Sequence, residues 1–188
     1  MPADADANRI AGLQALLQAQ QDKGPAPVEK WKPPYCGDIG MKIRADGVWF
    51  YQNSPIGRMP LVKLFAGVLR KDADGKHYLV TPVEKVDVAV EDAPFLAVEM
   101  EVQGSGREQR LVFRTNVDDV VTAGSGHPLR FSVDAAGGGL KPYLLVRGRL
   151  EALVTRALYY DLVELAVTDA ERGLGLWSDG AFLPMTAS

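Results

Sequence analysis

Ile10, Leu13, Leu16 and Leu17 recur at helical spacing behind Asp6, a suitable N-cap, so a helix is expected over residues 6–22, stopping at Lys23-Gly24. Its apolar stripe is narrow and glutamine-rich, which makes it peripheral. Four prolines then fall within residues 24–34. Each fixes φ and removes an amide donor, so this stretch reads as an extended connector. Beyond it the period drops to two. Met41 to Arg44 alternates apolar and charged residues, Asp46-Gly47 signals a hairpin turn, and Val48 to Tyr51 returns as a β-rich run. Pro60 opens a short helix striped by Leu61, Leu64, Phe65 and Val68. His77 to Thr81 is a strand stopped by Pro82.

Alternation resumes at residues 86–90. Phe95–Val102 and Arg110–Arg114 flank the loop GSGRE as a hairpin, and Thr115 to Asp118 has the form of a capping box opening one helical turn. Leu129–Val133 and Tyr143–Arg147 are strands around the flexible turn Ala135–Gly139. Leu150, Leu153, Val154, Ala157, Leu158, Leu162 and Leu165 mark the longest helix, over residues 149–168, with its stripe expected to cover a sheet. Leu174–Trp177 and Ala181–Leu183 form a last hairpin around Ser178–Gly180. The phrases DGVWFYQNSPIG and GLGLWSDGAFLP share Trp, Gly and Pro in a β context, which raises internal duplication. The organisation expected is an N-terminal helix at 1–24, an α+β lobe at 25–86, and a mainly-β lobe at 87–188.

Composition adds little to this picture. The 188 residues are 47% hydrophobic and 24% charged, ordinary for a globular chain able to bury a core without disulfides. The one cysteine, Cys36, favours a reducing compartment and reads as a small apolar residue in a packed turn. MPADADANRI lacks the basic start and apolar run of a signal peptide, and no run approaches a membrane span, so a cytoplasmic protein is expected. The net charge of −3 argues against a nucleic-acid partner. Residues 25–88 carry 10 Lys+Arg against 7 Asp+Glu, a net of +3; residues 89–188 carry 9 against 14, a net of −5.

Long phrases within residues 28–185 resemble one proteobacterial family, domain of unknown function twelve-eighty-five: WKPPYCGDIGMKI, DGVWFYQNSPIGR, YLVTPVEKV and VEDAPF, then FRTN, RGRLEA and WSDGAF. Tyr35 stands where Phe is expected and Gly40 where Asp or Glu is. The resemblance implies a two-domain α+β protein with internal duplication, antiparallel sheets, and a C-terminal β-roll or barrel with a long helix, superficially like a pleckstrin-homology fold. It also implies a ligand site in an interdomain cleft and a role in signal transduction, with no reaction attached.

Catalytic and metal motifs are missing. There is no CxxC, HExxH, GxSxG, GxxxxGK[ST] or GxGxxG spacing, and His77 and His127 are the only histidines. No cofactor or metal is implied. The candidate site residues are polar or aromatic groups at element boundaries: Asp38, Thr81, Glu84, Lys85 and Asn116 for hydrogen bonding, Arg58, Arg114 and Arg147 for an anion, Trp49 or Trp177 for an apolar wall. Glu84 and Lys85 also read as solvated charges, the arginines as partners of Asp92, Asp118 or Glu151, and the tryptophans as core. The expected function is a ligand-binding or signalling module for a small anionic ligand or peptide. The alternative is an enzyme with its site dispersed over the same cleft.

Overall fold

The computed structural model describes residues 2–21 and 25–188. Helix α1 (Pro2–Gln21) buries Leu13 and Leu17 and contacts α2 (Met59–Gly67). The connector makes a 3-10 turn at Val28–Lys30 and leads into β1 (Tyr35–Ile43), β2 (Trp49–Tyr51) and β3 (Ser54–Pro55). After α2 come β4 (Leu69–Lys71), β5 (His77–Val80) and β6 (Lys85–Val90). The expected Asp46-Gly47 turn is present, with Gly47 at φ +84°. Strand β1 starts earlier than alternation suggested. Gly37 and Gly40 adopt φ +89° and +83° there, and the register with β6 shifts on both sides of Asp38, so this stretch is a twice-bulged strand. Cys36 is accordingly exposed on a strand rather than packed in a turn.

The sheet order is β3-β2-β1-β6-β5-β4. Two three-stranded antiparallel meanders join through the parallel pair β1–β6. The expected helix α2 has Pro60 in its first turn and buries Leu61, Leu64 and Phe65. Phe65 stacks on Trp49 of β2 at 6.2 Å.

The second unit runs β7 (Phe95–Gln103), β8 (Arg110–Thr115), β9 (Val120–Thr122), β10 (Leu129–Val133), β11 (Leu140–Arg147) and β12 (Leu150–Val154). Its order, β9-β8-β7-β12-β11-β10, repeats that of the first sheet strand for strand, again with a central parallel pair. Cross-strand partners repeat as well. Leu69 and Arg70 face Leu79 and Tyr78, as Leu129 and Arg130 face Leu144 and Tyr143. The duplication is therefore β1–β6 against β7–β12. The Trp-containing echo is a different matter: its second phrase lies outside the repeat, in a third sheet of β13 (Val167–Asp169), β14 (Gly173–Ser178) and β15 (Ala181–Pro184). Sheet and hairpin together curl into a half-barrel. The first compact unit comprises the chain up to Arg44 with Val48–Glu91; the second comprises Ala45–Gly47 with Asp92–Ser188.

Two local expectations are corrected. The helix expected over 149–168 is strand β12 followed by α3 (Arg156–Leu165). Gly148, at φ +55°, turns the chain so that Leu150, Ala152 and Val154 bury on one face at period two. In α3 only Leu162 is fully buried, while Ala157 is exposed and Leu165 half-buried, so no broad stripe covers the sheet. Thr115–Asp118 is the β8–β9 hairpin turn, not a helical turn. The buried Thr115 hydroxyl accepts from the amides of Val117 and Asp119, at 3.3 and 3.1 Å, and Asp118 sits at φ +66°.

Polar fastenings hold each unit. In the second, fully buried Ser178 accepts from the Leu111 amide at 2.9 Å and donates to the Ala123 carbonyl at 2.6 Å, tying β14 to the ends of β8 and β9. In the first, Arg70 is 9% exposed. It donates to Asp72 through Nε at 2.6 Å, and through Nη1 to the carbonyls of Val28 and Trp31 at 2.7 and 2.8 Å, so it anchors the connector on β4. Lys85 reaches Asp72 at 3.1 Å. Partial burial by itself would raise the Asp72 pKa, but the bonds from Arg70 and Lys85 outweigh it and hold the carboxyl below its ordinary 3.8.

Two predictions follow from these fastenings. Ser178→Ala leaves a buried donor and a buried acceptor unmatched and should lower stability in urea by about 1–3 kcal/mol. Asp72→Asn should cost about 1.5–3 kcal/mol at neutral pH, the worth of hydrogen bonds to a charged group. Because the folded-state pKa is depressed, that stability is present above the unfolded value of 3.8 and is lost as pH falls through the folded value. The Tm difference between wild type and variant should close in that acid window; a difference unchanged below it would contradict the assignment.

Candidate functional site

The sequence-derived candidates are placed as follows. In the first unit, exposed Asp38 accepts from the Gly40 amide at 2.7 Å, inside the bulge. Trp49 is 1% exposed and forms core, so it offers no ligand wall. Arg58 is exposed at the N-cap position of α2. Thr81 is buried, and its hydroxyl accepts from Val83 and Glu84, closing the β5–β6 turn. Half-buried Glu84 ends that turn and half-buried Lys85 opens β6; Lys85 lies 4.4 Å over the Tyr78 ring while bound to Asp72. Thr81 and Lys85 thus serve the fold.

In the second unit Arg114, Asn116 and Arg147 gather around the β8–β9 turn. Arg114 forks onto Glu99 at 2.8 and 2.7 Å and also binds Asp118 at 2.7 Å. These carboxylates raise its pKa and neutralise it. Arg147 lies 3.8 Å from Asp119 and 5.3 Å over the Phe95 ring. The Asn116 side-chain oxygen accepts from the Leu96 amide at 3.0 Å. Trp177 is elsewhere, with the guanidiniums of Arg107 and Arg172 over its ring at 5.1 and 5.7 Å. It lines a concavity of about 450 Å³ with Arg107, Gln109, Glu164 and Asp169, where carboxylates outnumber cations two to one.

A different concavity of the second unit, about 280 Å³, combines cations, aromatics and apolar walls. The β10–β11 loop forms one side. Asp134 shapes it by accepting from Ala136 at 3.0 Å through its side chain and from Gly138 at 2.8 Å through its carbonyl, and Gly138 takes φ +71°. Leu153 and Val154 form the floor with Pro142. The other side is the first turn and a half of α3, which carries Arg156, Tyr159 and Tyr160. The two tyrosine rings lie 5.9 Å apart, and Tyr160 is 53% exposed.

Two cations line this concavity. Lys141 donates to Asp92, whose other oxygen accepts from the Tyr143 hydroxyl at 2.6 Å. Arg156 donates through Nε to the Tyr160 hydroxyl at 3.1 Å. The bond to Asp92 raises the Lys141 pKa, and the bond to Tyr160 raises that of Arg156, so both stay charged at neutral pH. Among the described residues no group of three His, Cys, Asp or Glu could hold a metal ion, and no helix is long and apolar enough to cross a membrane.

Sequence reading missed Lys141, Arg156, Tyr159 and Tyr160. Their signal was present: Arg156 and Tyr160 stand four apart on one helix face, beside a tyrosine, and the glycine run 137–139 precedes Lys141. Reading residues 149–168 as one helix hid the fact that α3 begins at Arg156.

Comparison with known proteins matches both units. Residues 26–93 match the N-terminal domain of unknown function DUF1285, and residues 94–185 match the C-terminal domain of the same family, described as a protein of unknown function. The crystal structure of a DUF1285 family protein from Silicibacter pomeroyi is 49% identical, with a TM-score of 0.83 over 88% of this chain and 89% of that one. One from Shewanella baltica is 28% identical, with a TM-score of 0.52 over 67% of this chain and 91% of that one. No curated protein matches. The two domain matches and the 49% identity agree with the resemblance carried by the long phrases, and the chain belongs to the DUF1285 family.

Proposed function

We propose that this protein is a small-ligand-binding module, without catalysis of its own, whose site is the concavity between the β10–β11 loop and α3. One observation carries the reading: two cations, two tyrosines and an apolar floor converge on one recess of about 280 Å³. Ligand sites are concave, mostly apolar, and carry a few convergent polar groups that fix orientation. The volume suits a small molecule and is too small for a folded partner. Lys141 and Arg156 give the recess a cationic lip, which favours an anionic ligand. Both cations are held in their charged forms, so the polar groups are suited to holding a charge rather than to moving a proton. A role in signalling follows if ligand occupancy changes how the protein meets a partner.

The test is ligand-dependent thermal stabilisation in wild type and in Leu153→Trp. Leu153 lies on the floor, half-buried, so the larger ring fills the recess without disturbing the fully buried core. A compound present at 100 times its Kd should add about 2.7 kcal/mol of stability to the wild type. The variant should fold and show no such gain. Equal stabilisation of both would place binding elsewhere.

A further inference from the structure

We propose that the recess selects a flat aromatic ligand bearing a carboxylate or phosphate, gripped by the open fork of Arg156 and stacked against Tyr160. This inference rests on the binding reading above and names the class of ligand.

The argument starts from the arginines of the second unit. Arg107, Arg110, Arg114, Arg130, Arg147 and Arg172 each lie within 4 Å of a carboxylate. Among the described residues neither exposed Arg149 nor Arg156 makes such a pair, and of the two only Arg156 lines the recess. Its Nε donates to the Tyr160 hydroxyl one helical turn on, which sets the plane of the guanidinium and leaves both terminal nitrogens available. That is the geometry for bidentate capture of a carboxylate or phosphate. The Tyr160 hydroxyl fixes the fork before a ligand arrives, so less side-chain freedom is lost on binding.

Lys141 supports the same choice from the opposite wall. An ammonium has three donors, and Asp92 takes one. Asp134 is the sole acidic side chain lining the recess, and one of its oxygens already accepts the Ala136 amide. Asp92 pairs with Lys141 and Asp134 faces the same recess, so Arg156, the lining cation without a carboxylate partner among the described residues, is the group that would take an anion. A bare inorganic anion would leave the rest of the recess unused. Tyr160 is half exposed beside half-buried Tyr159, and half-buried Leu153 lies on the floor, so a flat ring on the anion would cover apolar surface that is now wet.

Calorimetric titration of the full chain with phenyl phosphate, benzoate, inorganic phosphate and benzyl alcohol tests the proposal. Phenyl phosphate and benzoate should bind, each at least ~10-fold tighter than benzyl alcohol, and phenyl phosphate ~10-fold tighter than inorganic phosphate. Arg156→Lys keeps the charge but removes the fork, and should weaken both aryl anions ~10-fold. Tyr160→Leu should bring phenyl phosphate down toward inorganic phosphate. Both positions are exposed, so both variants should keep the wild-type Tm. Benzyl alcohol binding as tightly as benzoate, unchanged binding in Arg156→Lys, or no binding of any aryl anion would each overturn the proposal. If other compounds still stabilise the wild type but not Leu153→Trp, only the ligand class is wrong. If aryl anions bind Leu153→Trp as tightly as wild type, the binding reading falls with it.

Discussion

In each unit the first strand of six must lie parallel to the sixth. The two meanders that flank this seam are local, since each strand pairs with its sequence neighbour. The pairs β1–β6 and β7–β12 are not; they bring together residues about fifty apart. Parallel pairing cannot use a tight turn, so everything between the two strands becomes the crossover. Core residues line both seams: Met41, Ile43, Val86 and Val88 bury along one, Phe95, Ala97, Ala152 and Val154 along the other. Loop closure must be met before these contacts form, so the seam governs folding as well as stability.

With the seam made, the two copies differ in how they use the same places. Arg70 and Arg130 occupy equivalent positions opposite a tyrosine. Arg70 is buried and holds the connector through two backbone carbonyls and Asp72. Arg130 is freer; it pairs with Glu151 and lies over the Tyr143 ring at 4.4 Å. The hairpin loops diverge in parallel. The β4–β5 loop is short and closed, with Asp74 binding the Tyr78 hydroxyl at 2.6 Å and pushing its pKa up to about 12. The β10–β11 loop is glycine-rich and stands apart from α3, so a recess is left open there.

Much of the strand pattern was legible in sequence, because hairpins announce themselves by alternation and by turn residues such as Asp46-Gly47 and Asp179-Gly180. Duplication was legible too, but in a different phrase from the one that drew the eye. LRK followed by HYLV and LRF followed by PYLLV mark the equivalent strands β4–β5 and β10–β11. Shared tryptophans are conspicuous but mark two unrelated hairpins. Leu150 to Val154 was illegible for a physical reason: LEALV satisfies helical and strand spacing equally over five residues, and Gly148 and the waiting β11 edge decide between them. The same ambiguity obscured the site, since Arg156 becomes a helix-start residue only once the strand before it is recognised. Side-chain pairing was likewise hidden. Arg114 looked like an anion ligand until Glu99, fifteen residues away, was seen across the hairpin.

That last case shows what makes a binding arginine in this chain. The charged side chains of the second unit are numerous and mostly satisfied by one another, and a satisfied guanidinium must give up a carboxylate before it can take a ligand. For Arg114 the exchange would break contacts to two acids at once. For Arg147 it would disturb a cation–π contact with the core residue Phe95. Arg156 gives up no carboxylate: its hydrogen bond goes to the neutral Tyr160 hydroxyl through Nε, away from the fork, and its guanidinium lies 5.9 Å over that same ring. Net charge of a unit is therefore a poor guide to where an anion will settle. The deciding quantity is whether a guanidinium is free of carboxylates and faces a recess, and in this unit Arg156 meets both conditions where the glycine loop and the start of α3 leave room for a ligand.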